Sequence, residues 1–246
     1  MTTRAEFLGR VRAEMRKVGA PGPPAAPERP AHLGEAAAAV RREMSERWPE
    51  ALERFVQEFE RVAGVFHRVA TPAEVPGVIR AIARERGARE ILTWAPAELG
   101  MDLGPPLGPE LAVLPAPPGG GELDRLRHRE EAARAGIGVT GADLALAETG
   151  TLVLLSGAGR PRSTSLLPET HVAVFGPGAL VESLEQVGVI LESLHVDPAR
   201  SMSGAVINFI TGPSRTADIE LTLTRGVHGP KFVHAVFVDG LGGAPR

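Results

Sequence analysis

The sequence predicts an α/β fold in which helices flank a mostly parallel sheet, and two patterns within residues 63 to 246 predict it. Short apolar segments of strand character alternate with helical segments, which is typical of a parallel sheet covered on both faces. The segment "ADLALAETGTLVLLSG" instead contains two strands that meet at a turn, residues 148 to 151. This hairpin predicts that the sheet is mixed rather than wholly parallel.

A helical arm with a proline-rich linker is predicted for residues 1 to 62. The first helix follows from the spacing of four apolar side chains, Phe7, Leu8, Val11 and Met15. The linker is "GAPGPPAAPERPAHLGE", residues 19 to 35, and beyond it apolar residues recur every three or four positions as far as Val62. This stripe predicts one helix, or two helices broken near Pro49, whose apolar face packs in the core or contacts another subunit.

The α/β domain itself is predicted to comprise residues 63 to 246. Besides the hairpin, its predicted strands are "GVFHRVA", "REILTWA", "PELAVLPA", "HVAVFG", "GAVINFI" and "KFVHAVFVDG". Its predicted helices are "TPAEVPGVIRAIARERG", "ELDRLRHREEAARAG" and "GALVESLEQVGVILESL". The first helix begins at Thr71 with Pro72 in its first turn. The last helix places an apolar row on one face, Leu180, Leu184, Val187 and Leu191.

Composition excludes several classes of function. With a formal net charge of -3, 4% aromatic residues and no tyrosine, the chain lacks the basic field and the stacking surface of nucleic-acid-binding proteins. The chain has no cysteine, so it cannot supply a thiol nucleophile or hold an iron–sulfur cluster through thiolates. No dinucleotide or phosphate-loop motif opens a helix. No apolar run is long enough to span a membrane and the first residues are charged, so we expect a cytoplasmic protein.

The first of three candidate ligand loops is "AETGT", residues 147 to 151, since ligands of open α/β sheets usually bind beyond strand ends. Glu148 shares the period of two with Leu144 and Leu146, so it continues an apolar face. A partly desolvated carboxylate has a raised pKa, which makes Glu148 a candidate proton carrier or nucleophile. Alternatively, the strand ends at Ala147 and Glu148 turns outward into water. The substrate-binding candidates of this loop are Thr149, Gly150 and Thr151.

The second loop is "SGAGRPRSTSLLPETH", residues 156 to 171. Arg160 and Arg162 are candidates to hold a carboxylate or phosphate, with hydrogen bonds from hydroxyls such as that of Ser163. His171, at the entrance to a buried strand, is a candidate catalytic base near neutral pH. The alternatives are arginines that are merely solvated and a histidine that belongs to the core.

The third loop lies within "FITGPSRTADIELTLTRGVHGPK", residues 209 to 231. Ser214 or Thr216 is predicted to cap a following helix, whose exposed amides would attract an anion. Asp218 and Glu220 would fall in the first turn of that helix, where they oppose an anion but could bind a metal or a hydroxyl-bearing substrate. Carboxylates two positions apart on a helix point in different directions, so the two are not expected to act together. The substrate-binding candidates are Thr211, Gly212, Ser214, Thr216, Asp218, Glu220 and His228. The spacing of the histidines matches no metal motif, and we predict no metal site.

The motifs "ETGTLVLLS", "LPETHVAVFG" and "ITGPSRTADIELTLTRGVHGP" together resemble the lactate-utilisation (LUD) domain family, over about residues 65 to 239. The resemblance implies a Rossmann-like fold related to coenzyme A transferases, ribose-phosphate isomerases and formyltetrahydrofolate cyclo-ligases. It also implies participation in the oxidation of L-lactate to pyruvate, together with two partner proteins that carry iron–sulfur clusters. Lactate oxidation needs an electron acceptor, and such partners would supply one to a chain without cysteine.

The sequence leaves three functions open. The first is the non-redox component of an iron–sulfur L-lactate dehydrogenase system, which binds lactate, pyruvate or a cofactor in a cleft bordered by the three loops. In that cleft Arg160 or Arg162 would pair with the carboxylate, and Glu148 or His171 would carry the proton. The second function is an independent transferase or isomerase acting on an acyl thioester or a sugar phosphate. The third is an assembly or regulatory protein whose arm docks on partners.

Overall fold

The computed structural model describes residues 3–17, 32–108, 110–119, 121–196, 206–217 and 223–241. The chain forms two compact units, Met1–Leu33 and Gly34–Arg246. The first unit contains helix α1 (Arg4–Lys17), at the position where the sequence predicts a helix. Most of the predicted linker, residues 19 to 35, lies outside the described residues.

A single helix, α2 (Leu33–Arg61), runs through Pro49, so the break that the sequence allowed there does not occur. The apolar stripe of α2 packs into the same core as the sheet described below. Phe55 and Phe59 are fully buried, and the Phe55 ring lies 5.4 Å from the ring of Phe175. Burial of these rings stabilises the packing of α2 on the sheet. The larger unit begins at Gly34, within residues 1 to 62, which were predicted to form a helical arm.

Six strands form the central sheet. They are β1 (Val65–Val69), β2 (Glu90–Thr93), β3 (Ala112–Pro115), β4 (Ile137–Gly141), β7 (Thr170–Phe175) and β12 (Phe232–Val238). Their order is β1-β12-β7-β4-β2-β3, and every neighbouring pair is parallel. This arrangement confirms the predicted mostly parallel sheet. The sequence analysis missed β4, because Gly138 and Gly141 interrupt its apolar pattern.

Helices connect the strands. The longer ones are α3 (Val75–Arg86), α6 (Glu122–Arg134) and α8 (Leu184–Val196), and the single-turn ones are α4 (Pro96–Leu99), α5 (Gly104–Leu107) and α7 (Ser163–Leu166). A short 3-10 turn precedes α3, and there the backbone N–H of Thr71 donates to Glu74 Oε1 at 3.0 Å. The predicted apolar face of α8 is only partly correct, because Leu180 lies in a strand and Leu184 is exposed.

The predicted hairpin is present, but it belongs to a second sheet. This sheet contains β5 (Leu144–Leu146), β6 (Thr151–Leu155), β8 (Leu180–Val181) and β9 (Ile207–Ile210), in the order β8-β5-β6-β9. β5 is antiparallel to β6 and parallel to β8, so the second sheet is mixed while the central sheet is wholly parallel. Beyond it, β10 (Arg215–Ala217) and β11 (Leu223–Arg225) form an antiparallel hairpin.

Candidate functional site

The three candidate loops fall into two groups that lie at opposite ends of β6. The first loop leads into β6 at Thr151, whereas the second loop leaves it after Leu155. At the usual rise of a strand these two residues are roughly 13 Å apart. The third loop joins the first, since Thr211 contacts Thr151. The structure therefore does not assemble one cleft from all three loops.

Three threonine side chains join the first and third loops. The hydroxyl oxygens of Thr149 and Thr151 are 2.7 Å apart, and those of Thr151 and Thr211 are 2.8 Å apart. Both loops contain a glycine with positive φ, 61° at Gly150 and 75° at Gly212. A Cβ atom on either glycine would collide with the C-terminal end of α2 and the residues just after it. These glycines therefore allow close packing against α2, which by itself explains their place in the motifs.

Glu148 turns outward into water, which was the alternative to the predicted desolvated carboxylate. β5 ends at Leu146, and Glu148 is exposed. Its Oε2 accepts a hydrogen bond from the backbone N–H of Leu184 at 3.1 Å, at the start of α8. A carboxylate at this position accepts a hydrogen bond from an amide that has no partner within the helix, and its negative charge interacts favourably with the positive end of the helix dipole. The contacts of Glu148 are thus those of a helix-stabilising residue.

The third loop does not open a helix, so the predicted capping role of Ser214 and Thr216 is wrong. Thr216 lies in β10 opposite Thr224, and Ser214 joins the two ends of the hairpin. Its carbonyl accepts from the N–H of Gly226 at 3.0 Å, and its hydroxyl accepts from the N–H of His228 at 3.2 Å. The side chain of His228 is exposed.

Two further candidates of this loop, Asp218 and Glu220, lie outside the described residues. Because Thr216 is in a strand, they do not follow a helix cap as predicted.

His171 is a core residue rather than a base that faces solvent. Its side chain is fully buried in β7, and Nε2 lies 2.9 Å from the hydroxyl of Thr140 on β4. Burial, with a smaller effect from His234, lowers the pKa of His171 to about 3. The imidazole is therefore neutral at pH 7 and inaccessible, which fits the structural alternative for this residue.

A cleft of about 810 Å³ lies beside the second loop. Residues 156 to 163 line it together with Leu166 and Leu167, His128 and Arg129 of α6, and Pro117 and Gly119 behind β3. The backbone N–H of Ala95, just after β2, donates to the carbonyl of Gly159 at 2.8 Å. One part of the cleft is therefore near the carboxyl ends of β2 and β3, where ligands of α/β sheets usually bind.

Arg160 anchors the loop and is already neutralised. Its Nη1 donates to Asp143 Oδ1 at 2.8 Å, and its Nε donates to Glu98. Asp143 is only 6% exposed, and its Oδ2 accepts from the N–H of Leu155 at 2.7 Å. Burial raises the pKa of Asp143, and the guanidinium of Arg160 opposes that rise. Because two carboxylates share this one cation, Arg160 positions the loop and is a poor partner for a ligand anion.

Gly138 lets the loop rest directly on the central sheet. The carbonyl oxygen of Thr164, in α7, lies so close to Gly138 that a Cβ there would be 1.8 Å from it. This contact seats α7 on β4 and brings Arg162 and Ser163, just before and at the start of α7, to the wall of the cleft. A residue with any side chain at position 138 would push the wall away.

Two arginines in the cleft have no ion pair among the described residues, namely Arg129 and Arg162, and both are exposed. His128, next to Arg129 on α6, is 4% exposed, and its Nε2 lies 3.5 Å from the hydroxyl of Thr164. Burial lowers the pKa of His128, so its ring is neutral at pH 7 and the charge of the cleft comes from the arginines. The arrangement can bind an organic anion.

The sequence analysis predicted Arg160, Arg162 and Ser163 in this cleft but missed His128 and Arg129. Both missed residues lie on α6, far from any loop motif, and only the fold brings that helix to the second loop. Among the residues that the structure describes, no cluster of three or more His, Asp or Glu side chains is placed to hold a metal ion. Within the same residues, no helix combines the length and the apolarity needed to cross a membrane.

Curated proteins named "Lactate utilization protein C" are similar to this chain over part of its length. The protein from Exiguobacterium sp. is 46% identical over 113 residues, which are 46% of this chain and 48% of that protein. The protein from Halalkalibacterium halodurans is 49% identical over 102 residues, 41% of this chain and 43% of that protein. The protein from Anoxybacillus flavithermus is 44% identical over 111 residues, which are 45% of this chain and 47% of that protein. The matched stretch thus spans about half the length of each relative.

A solved structure and a family profile give wider matches. The crystal structure of a DUF162 family protein from Deinococcus radiodurans aligns with a TM-score of 0.54 and 23% identity, covering 78% of this chain and 98% of that one. This likeness supports the α/β fold, while the relation to coenzyme A transferases stays a prediction. The profile of the LUD domain matches residues 52–238. Because this match covers well over half of the chain, the protein belongs to the LUD domain family.

Proposed function

We propose that this protein is a non-redox component of a bacterial lactate-utilisation system and binds a small organic acid in the Arg162 cleft. The names of the curated relatives support the pathway. One observation supports the site: Arg162 has no ion pair among the described residues and lines a cleft whose neighbouring arginine is already neutralised. A carboxylate would supply the missing partner.

In the proposed complex, the guanidinium of Arg162 holds the carboxylate of lactate or pyruvate through two parallel hydrogen bonds. The hydroxyl of Ser163, on the adjacent residue, orients the ligand further, and the Arg160–Asp143 pair keeps the loop in place. A loop fixed in advance loses less conformational freedom when the ligand binds, which favours affinity.

Oxidation of lactate to pyruvate releases two electrons, and we propose that iron–sulfur partner proteins accept them. This chain has no cysteine to hold a cluster through thiolates. The role proposed for it is therefore to bind and present the acid. Among the described residues that line the cleft, the ionisable side chains are three arginines and the buried His128, whose pKa is lowered by burial. Such a lining suits the binding of an acid.

Calorimetric titration of lactate and pyruvate into the purified chain tests the proposal. Wild type is expected to bind, and Arg162→Ala is expected to raise the Kd at least about tenfold, because a charge-assisted hydrogen bond is lost. Arg89→Ala is the matched control, since Arg89 is an exposed arginine just before β2, at the opposite edge of the sheet. No binding by wild type, or equal binding by Arg162→Ala, would contradict the proposed site.

A further inference from the structure

We infer that Arg129 forms a second anion subsite in the same cleft, which therefore takes an organic anion larger than a three-carbon acid and bearing two negatively charged groups. The inference rests on the proposed function for the location of the first subsite, at Arg162. It adds Arg129, which none of the sequence motifs contains, and a class of ligand larger than a simple hydroxy acid.

Arg129 has no ion pair among the described residues, and the sequence of α6 explains why. Its neighbours on the helix surface, three and four positions away, are Arg125, Leu126, Ala132 and Ala133. None of them is acidic, so no ion pair can form along the helix. The side chain of Arg129 is exposed and has no ion pair among the described residues, although it lines the cleft.

The two arginines for which the described part of the chain offers no ion pair come from different elements. Arg129 lies on α6, and Arg162 lies on the loop before α7. The cleft wall also includes the buried His128, whose pKa is lowered by burial, so that it adds no positive charge at pH 7. Two cations that come from separate elements match a ligand with two anionic groups better than a single carboxylate.

The size of the cleft points to the same ligand class. A volume of about 810 Å³ is within the range of sites that hold drug-sized ligands, and a three-carbon acid would fill a small part of it. Pro117, Leu166 and Leu167 add apolar surface to the wall. The ligand is thus expected to have an apolar or ring-containing body in addition to its two charged groups. Such a dianion could carry phosphates or carboxylates.

Calorimetry with four probes tests the second subsite: ADP and adipate as larger anions, and inorganic phosphate and lactate as small ones. At least one larger probe is expected to bind wild type about tenfold more tightly than lactate does. Arg129→Gln is expected to weaken that larger probe about tenfold and to leave lactate binding unchanged. Arg162→Gln should weaken both, and Arg89→Gln should change neither. Preference for ADP or for adipate identifies phosphate or carboxylate as the charged group.

The inference fails if neither ADP nor adipate binds more tightly than lactate, or if Arg129→Gln leaves the larger probe unaffected. Thermal unfolding of each variant distinguishes a lost contact from a lost fold, and a surface arginine on a helix is expected to shift stability by at most about 0.5 kcal/mol. Failure of the proposed function gives a different result. In that case wild type does not bind lactate or pyruvate, while any Arg129-dependent binding of a larger anion persists.

Discussion

His67 and His234 form a hydrogen-bonded imidazole pair across two neighbouring parallel strands. Nε2 of His67 lies 3.0 Å from Nδ1 of His234, and the two rings stack with centroids 5.3 Å apart. One ring donates the shared proton and the other accepts it, so the pair is stable when both rings are neutral. Burial, with the nearby His67 and Arg86, lowers the pKa of His234 to about 4. Burial also lowers the pKa of His67.

Stability is expected to fall as the pH falls from about 6.5 towards 4. In the unfolded chain these histidines bind protons near pH 6.5, whereas His234 and His171 in the folded state do so only near pH 4 and pH 3. The unfolded state therefore binds more protons in this window, and each such histidine removes up to about 1.4 kcal/mol of stability per pH unit. Urea unfolding between about pH 7 and pH 5 measures this slope.

A variant of His234 tests whether the histidine pair causes this pH dependence. His234→Gln is expected to reduce the pH dependence of the unfolding free energy, while His228→Gln, at an exposed residue, is expected to leave it unchanged. An equal slope in His234→Gln and wild type would mean that His234 does not contribute to the acid sensitivity.

Removal of Arg160 is expected to destabilise the fold by about 3–5 kcal/mol, because it leaves the buried carboxylate of Asp143 without its cation. Arg160→Met keeps most of the packing over Trp94, whose ring centroid lies 5.4 Å from the guanidinium carbon. The measurement is the free energy of unfolding in denaturant. Arg162→Met, two residues away and without an ion pair among the described residues, is expected to change it by about 0.5 kcal/mol or less. Similar losses in both variants would exclude the anchoring role.

Gly138→Ala is expected to destabilise the protein by about 2 kcal/mol or more and to weaken ligand binding in the cleft. The added Cβ would meet the carbonyl of Thr164, which is backbone and cannot rotate away, so α7 must shift. Gly188→Ala, on α8 and outside the lining of the cleft, is the control, because a Cβ there would have no neighbour within 4 Å. Thermal unfolding together with lactate titration measures both effects. A Gly138→Ala variant as stable as wild type would contradict the seating of α7 on β4.

Glu148→Gln is expected to cost about 0.3–1 kcal/mol and to leave acid binding unchanged. The carboxylate stabilises the first turn of α8 through the N–H of Leu184, and it lies at the other end of β6 from the cleft. Unfolding in denaturant and titration with lactate report the two effects separately. Loss of binding with unchanged stability would instead place Glu148 in the ligand site, as the first interpretation of its strand position suggested.

Periodicity predicted most strands and the long helices, because side-chain patterns of two and 3.6 residues report directly on burial. Periodicity did not predict β4 or β10, because the residue types of these segments are also typical of other local structures. The glycines of β4 interrupt the apolar pattern of a strand at the centre of the sheet. The segment "TGPSRTADIE" has the residues of a helix cap, but within it Arg215–Ala217 forms a hairpin strand. In both cases pairing with a distant segment decided the structure.

The same division applies to the candidate site. The sequence alone identified the second loop and the two arginines in it. Only the fold distinguished them, because Asp143 and Glu98 reach Arg160 from 17 and 62 positions away, and no pattern within the loop contains that information. The fold also places Arg129 in the wall of the cleft and Glu148 at the other end of β6.

By itself the sequence determined the α/β class, the family and the absence of thiolate chemistry, since these depend on residue types and on local spacing. The tertiary structure decided which charges are neutralised, which glycines serve packing and which loops share a cleft. Those outcomes depend on contacts between residues far apart in the chain, and the cost of burying an unpaired charge or an extra Cβ atom is what selects among them.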